Sequence, residues 1–547
     1  MNTDIRTDTA AGPAETGIQP VDTALADIVP PAAAPTDRAQ AGPIHDEPPL
    51  FDAALCHAIG EQRQIEGDLA EAETYYRAAL ALDPARPMTW ANLGLAATRA
   101  GRAEEGLAHA RQAMRLDPFN VEAMNNLGIA AHGLNAMAEA ENHFRGVLRL
   151  RPDHPGATLN LGVVRQHLGH PAEAEMLYRR ALDLGCDAPR VQNNLAMVLA
   201  ELLRLEEAEQ AARDALAAAP DYPEAEVNLA LILLMRGRLR EAWPRYEARW
   251  RVPPLSLQPR LPAETRLTGN EDVVGKKVLL LAEQGFGDTL QFCRYAPILA
   301  AVGAEVTLAV PNGLVRSMQS LPGVRVIGED EPVPEHDFHC PLLSLPKARG
   351  TDRATIPASV PYLAADPDAV TAWEALLPSR RDCAGPRVGL VWAGGRRPAQ
   401  PLADAIDKRR SMPLSALAPL ADVPGVVFVS LQAGPEAKQA ETVPFPLIDL
   451  TDRLTDFADT AALIQTLDLT IAVDTAVAHL AGALGQPVWL LNRFDACWRW
   501  LPGEGDFDRV DTPWYPTMRL FRQPAPGDWG SVVARVAAAL PGFRVLG

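Results

Sequence analysis

Three short stretches in the second half of the chain carry residue types suited to an activated, phosphorylated substrate. The first is Glu283-Gln284-Gly285-Phe286-Gly287-Asp288-Thr289-Leu290-Gln291. Gly285 and Gly287 let backbone approach a ligand, and a helix opening here offers free N–H groups. Asp288 sits in this loop with Gln284, Gly285 and Gly287, at the carboxyl edge of the strand where open α/β sheets bind ligands. Its spacing to Gln291 also fits a capping box with Asp288 as the N-cap. No third glycine stands where a dinucleotide fingerprint needs one, which disfavours a nicotinamide cofactor.

The second stretch is Asp474-Thr475-Ala476-Val477-Ala478-His479. Thr475 is expected to open a helix whose free amides and dipole hold a diphosphate. His479 lies one turn along the same face, either as a donor to a phosphate oxygen or as a packed helical histidine. The third pairs Gly394 and Gly395 with the run Lys408-Arg409-Arg410-Ser411. Glycines past a strand end followed by cations in a loop make an anion-binding edge, or else a solvated loop. Gln432, at the end of the next strand, is placed to read a nucleoside. Asp506-Phe507-Asp508 has the spacing of a metal–nucleotide clamp, but its glycine-rich, charged setting reads as a surface loop. Trp498, Trp500, Trp514 and Tyr515 read as core or interdomain packing.

These residues need a scaffold of alternating strands and helices. Lys276–Glu283 reads as a buried parallel strand, followed by a helix over Thr289–Ala301 and strands at Glu305–Val310 and Val324–Ile327. A second half carries strands at Arg387–Trp392, Val426–Leu431, Leu469–Val473 and Val488–Leu491. The pattern predicts two Rossmann-like domains facing across a cleft, over 276–375 and 385–547. Residues 253–275, with four prolines, read as a linker.

Before the linker the chain repeats every 34 residues. Proline falls at 84, 118, 152 and 220, with Cys186 in its place once, and glutamate at 71, 105, 139, 173, 207 and 241. This period marks a solenoid of about six helix pairs over 51–252. Glycine is expected at each turn; Asn135 and Leu203 depart from it. The motif Asn-Leu-Gly/Ala places Asn92, Asn126, Asn160, Asn194 and Asn228 at one point of successive A helices. Such a row is a candidate ladder for an extended peptide backbone, or a device for packing the repeats. Residues 1–50, rich in Ala and Pro, are expected to be disordered.

The net charge of −18 argues against nucleic acid. Six cysteines without a CxxC pair argue against a zinc site or disulfide framework. Neither a spanning apolar run nor a secretory signal is read, so a cytoplasmic location is expected.

The repeats closely resemble the tetratricopeptide repeat. Residues 276–540 resemble a GT-B glycosyltransferase of the ADP-heptosyltransferase-like group (glycosyltransferase family 9-like). The resemblance rests on Gly287-Asp288 after the first strand and on Asp474-Thr475-x-x-x-His479-Leu480. The whole arrangement is similar to bacterial tetratricopeptide-repeat glycosyltransferases, down to AEQGFGDTLQFCRYAP, DTAVAHLAGALGQPVWLL and PWYPTMRLFRQ. The resemblance implies an inverting, metal-independent transfer from a nucleotide-sugar, with no cofactor. Asp288 is then the base, and Asp474, Thr475, Ala476 and His479 the nucleotide-binding turn. Gly394, Gly395 and a cation from Lys408 or Arg410 contact the diphosphate. The asparagine row resembles that of O-GlcNAc transferase, implying a protein or peptide acceptor. Ala476 replaces a usual glycine, and Gly394 and Gly395 replace usual hydroxyls, so the donor sugar stays open. Two other readings are transfer to a cell-envelope glycan and a non-catalytic, nucleotide-sugar-binding scaffold.

Overall fold

The computed structural model describes residues 52–253, 255, 261–381, 385–397, 401–501 and 509–543. The segment 1–50 and Asp506-Phe507-Asp508 lie outside them. Contacts divide the chain between Leu229 and Ala230.

The first unit is a solenoid of antiparallel helix pairs. They are Ala53–Glu66 with Leu69–Leu82, Pro87–Arg99 with Ala103–Leu116, Val121–Gly133 with Met137–Leu150, Pro155–His167 with Pro171–Asp183, and Ala188–Glu201 with Leu205–Ala218. A sixth A helix, Pro223–Met235, straddles the division. Each turn needs one left-handed residue, supplied at Gly67, Gly101, Asn135, Gly169, Leu203 and Gly237. Leu203 adopts φ 58° against its steric preference, and its side chain is buried in compensation. The A-helix glycine has a separate task. A Cβ at Gly128 would lie 2.5 Å from Phe144, and one at Gly162 2.7 Å from Tyr178, so glycine admits the B-helix ring. Phe144 then packs with Leu95, Ile129, Val147, Leu161 and Val164.

The periodic glutamates link neighbouring repeats. Arg77 reaches Glu105 at 2.7 Å, Arg111 reaches Glu139 at 3.5 Å, and Arg179 reaches Glu207 at 3.5 Å. Exposed as they are, these pairs contribute little to stability. The asparagine row calls for a correction. Asn92, Asn126, Asn160, Asn194 and Asn228 are all at most 6% exposed. Asn126 Nδ2 donates to Ala91 O at 2.8 Å, Asn228 Nδ2 to Asn193 Oδ1 at 2.9 Å, and Asn160 Nδ2 to Asn125 Oδ1 at 3.3 Å. Buried amides need partners, and Asn92, Asn126, Asn160 and Asn228 find one on the preceding A helix, whereas Asn194 Nδ2 has none among the described residues. Four of the five thus tie repeats together, as the packing alternative for the row expects.

The second unit begins with the rest of the sixth pair. In Leu239–Tyr246, Trp243 is buried and donates from Nε1 to Thr351 O at 3.0 Å. A 3-10 turn, Glu247–Arg251, then buries Arg249, whose Nε and Nη2 hold both oxygens of Glu283 at 3.0 and 2.9 Å. Two sheets follow, both wholly parallel. β1 (Lys277–Leu281), β2 (Glu305–Val310), β3 (Val324–Gly328) and β4 (Phe338–Pro341) run in the order β3-β2-β1-β4. β5 (Arg387–Val391), β6 (Val427–Ser430), β7 (Leu469–Val473), β8 (Val488–Asn492) and β9 (Met518–Arg522) run in the order β6-β5-β7-β8-β9. Apolar runs such as Leu469–Val473 are buried on both faces, as parallel sheets require. The expected helix Thr289–Ala301 is broken into Phe286–Phe292 and Tyr295–Ala301. Pro297 lacks an N–H, and its ring excludes a continuous helix through residue 293.

Candidate functional site

β1 and β7 each end in a turn that opens a helix, Phe286–Phe292 and Ala476–Ala483 respectively. The two helices meet at their N-terminal ends. A Cβ at Gly287 would lie 3.0 Å from His479 Cδ2 and 3.7 Å from Ala476 Cα, so glycine permits the approach.

Asp288 is 8% exposed and stands at the third position of its helix, with Gly285 as N-cap. The capping-box reading, with Asp288 as the N-cap, is therefore corrected. Its Oδ1 accepts from Arg499 Nη2, and Arg499 Nε donates to Gln291 Oε1 at 2.7 Å. Burial raises the Asp288 carboxyl above its ordinary value, and Arg499 opposes that shift. Arg499 was not among the residues singled out in the sequence. The available signal was its place between Trp498 and Trp500: an arginine flanked by core tryptophans needs an internal anion. Its guanidinium also lies 4.3 Å from the Trp498 ring centre. Gln284 is buried and donates to Tyr246 Oη at 3.2 Å.

Thr475 caps Ala476–Ala483 in extended geometry, but its side chain makes no capping bond. Its Oγ1 is buried and has no partner among the described residues. His479 is 4% exposed, with Nδ1 2.9 Å from Tyr515 Oη and its ring stacked 5.2 Å from that of Trp500. Burial pushes the His479 pKa down to about 3, against a raising influence from Asp474. The imidazole is neutral at pH 7, able to donate a hydrogen bond but carrying no charge. Its folded pKa lies below its unfolded one. Its contribution is therefore complete above about pH 6.5 and falls by about 1.4 kcal/mol per pH unit towards pH 3. Of the ten tryptophans only Trp90 precedes residue 230, so indole fluorescence reports mainly on the α/β unit. Urea unfolding followed this way is expected to lose about 2 kcal/mol from His479 between pH 7.5 and 5.0. The His479→Gln variant should lack that part of the slope; an unchanged slope would refute the assignment.

The basic run is not a loop. Lys408 and Arg410 occupy the last turn of a helix, Pro401–Arg410, where cations complement the dipole. Lys408 is exposed and pairs with Asp404 at 2.9 Å. Arg410 instead donates to Asp474 O at 3.0 Å and pairs with Asp407 at 2.9 Å. It thereby joins the turns after β5 and β7. A Cβ at Gly394 would sit 2.5 Å from Arg410 Nε, which accounts for glycine there, whereas Gly395 is unconstrained. Ser411 Oγ accepts from Gly394 N–H at 3.1 Å. The Gln432 amide accepts from Trp392 and Ala393 N–H at 3.1 and 2.8 Å and donates to Ala393 O at 3.0 Å. That makes it a brace for the β5 turn, with its amide spent on backbone.

Thus Asp288, His479, Ala476 and Gly287 converge, and Arg410, Asp474, Gly394, Gly395 and Ser411 form an adjoining edge. Lys408 stands apart from it. Trp500, Trp514 and Tyr515 are buried packing residues.

The tetratricopeptide repeat family matches five overlapping segments, 66–121, 92–155, 137–189, 159–223 and 193–252, so the N-terminal region consists of these repeats. Protein FlbA of Caulobacter vibrioides is 31% identical over 332 residues, covering 55% of this chain and 52% of that protein. The chain thus spans about half the length of this curated relative. A thermophilic repeat protein of Thermus thermophilus aligns at 23% identity over 33% of this chain and 99% of its own, with a TM-score of 0.31. PilF of Pseudomonas aeruginosa aligns at 19% identity over 36% and 90%, with a TM-score of 0.32.

Proposed function

We propose that the α/β unit is an inverting GT-B glycosyltransferase that uses a nucleotide-sugar, and that the repeats bring it a protein acceptor. The observation that carries the reading is the meeting of a buried carboxylate, Asp288, with a helix N-terminus whose cap hydroxyl, Thr475 Oγ1, is buried and unpartnered. A diphosphate oxygen at that terminus would complete the hydroxyl and the free amides, and Arg410 lies beside it as the cation. In the proposed step Asp288 takes the proton of an acceptor hydroxyl. The oxygen bonds to the anomeric carbon, and the carbon–phosphate-oxygen bond breaks. The diphosphate leaves with that electron pair, stabilised by the amides and by Arg410. Neutral His479 contributes a hydrogen bond.

Tetratricopeptide repeats suit protein partners, which favours a protein acceptor. No helix among the described residues is long and apolar enough to cross a membrane. The test is a panel of nucleotide-sugars titrated calorimetrically into the full chain. One of them should bind, and Thr475→Val should weaken it about tenfold, the loss of one hydrogen bond to a charged group. Equal affinity in the variant would remove the diphosphate from this helix end.

A further inference from the structure

A cavity of about 330 Å³ opens at the carboxyl ends of β1, β2 and β3. Its floor is apolar, with Leu281, Val310 and Ile327, and its wall is the turn Gln284–Gly285 that leads into the helix of Asp288. The size is that of a small-ligand site. Its charge is one-sided: Glu329 and Glu331 stand at the rim, and among the described residues no Lys, Arg or His lines it. Glu331 is fixed there, accepting from Gly328 N–H at 2.9 Å. The third carboxylate of the lining, Glu283, is turned away to Arg249. Arg316, on the short helix that follows β2, is held by Asp456 at 3.0 Å and Asp459 at 3.6 Å.

Resting on the transferase reading above, we infer that this cavity receives the acceptor and selects it by charge. It admits a hydroxyl on a neutral or cationic group, such as a serine or threonine beside lysine or arginine. It rejects acceptors that carry phosphate or carboxylate. The physical reason is direct. An anion entering would face two carboxylates with no cation in the lining to offset them. An aliphatic stem lies against that floor while an ammonium group reaches Glu329 and Glu331.

The test uses the full chain with labelled Ile, Leu and Val methyls, observed by NMR. Three probes are titrated: acetyl-Lys-Ser-Lys-amide, acetyl-Glu-Ser-Glu-amide and a hexose 6-phosphate. The lysine peptide is expected to shift Ile327 and Val310 at a concentration at least fivefold lower than the other two. The preference should shrink at high salt, and by about two- to fivefold in each of Glu329→Gln and Glu331→Gln. Tighter saturation by the glutamate peptide or the phosphate sugar would overturn the inference, as would silence of these methyls to every probe. A nucleoside diphosphate titration read at Val477 tests the donor reading separately. If Val477 is silent while the lysine preference holds, the donor assignment fails and the charge selection stands.

Discussion

Replacing Asp288 with Asn is expected to slow transfer by about 10²- to 10⁴-fold while leaving nucleotide-sugar affinity within about twofold. The substitution keeps an oxygen for Arg499 Nη2 and keeps the helix position, so the loss falls on proton removal. Because burial raises the Asp288 pKa, wild-type activity should decline as pH falls through that raised value, where the base becomes protonated. Nucleotide release in a purified transfer assay gives the rate, calorimetry the donor affinity, and circular dichroism the melting point. A folded variant with full activity would leave Asp288 as no more than the anchor of Arg499. Arg499→Lys supplies a second reading. It keeps the charge but loses the simultaneous hold on Asp288 and Gln291, so its rate should fall less than that of the Asn variant.

Arg249→Met is expected to destabilise the α/β unit by about 3–5 kcal/mol. The Arg249 side chain is fully buried and is shared among Glu283, Glu247 and Ser344. Removing it leaves Glu283, 3% exposed, with Leu343 N–H as its remaining hydrogen-bond donor. Burial already pushes the Glu283 carboxyl upward, and without the Arg249 cation that opposes it the shift grows. Urea unfolding by tryptophan fluorescence measures the loss. Adding Glu283→Gln should restore much of it, because the orphaned charge goes with it. A loss below about 1 kcal/mol in the single variant would show that the pair is dispensable.

Much of this architecture was legible from residue order. The 34-residue period gave the helix pairs, since solenoid contacts are local in sequence, and the strands at Glu305–Val310 and Leu469–Val473 were placed to the residue. β4 and β9 escaped notice. Phe338–Pro341 is short and ends in proline, and Met518–Arg522 carries two arginines in five residues, so neither reads as a buried apolar run. The site was legible where its residues follow strand ends, as Asp288 and Thr475 do. It was illegible where partners come from far along the chain. Nothing near Asp288 announces Arg499, 211 residues away. The Asn row shows the opposite failure. Its spacing was plain, but spacing does not say which face of an A helix is covered by the next repeat. The amides of Asn126 and Asn160 proved to be internal.

The contact division runs through the helix Pro223–Met235, and Leu239–Tyr246 is built into the α/β core by Trp243 and Tyr246. The last B helix is thus part of the α/β unit, while the helix pairs before it belong to the other. Gene duplication or loss of whole pairs upstream can lengthen or shorten the arm without disturbing the α/β fold. Trimming the arm from its downstream end cannot, because it would remove part of that fold.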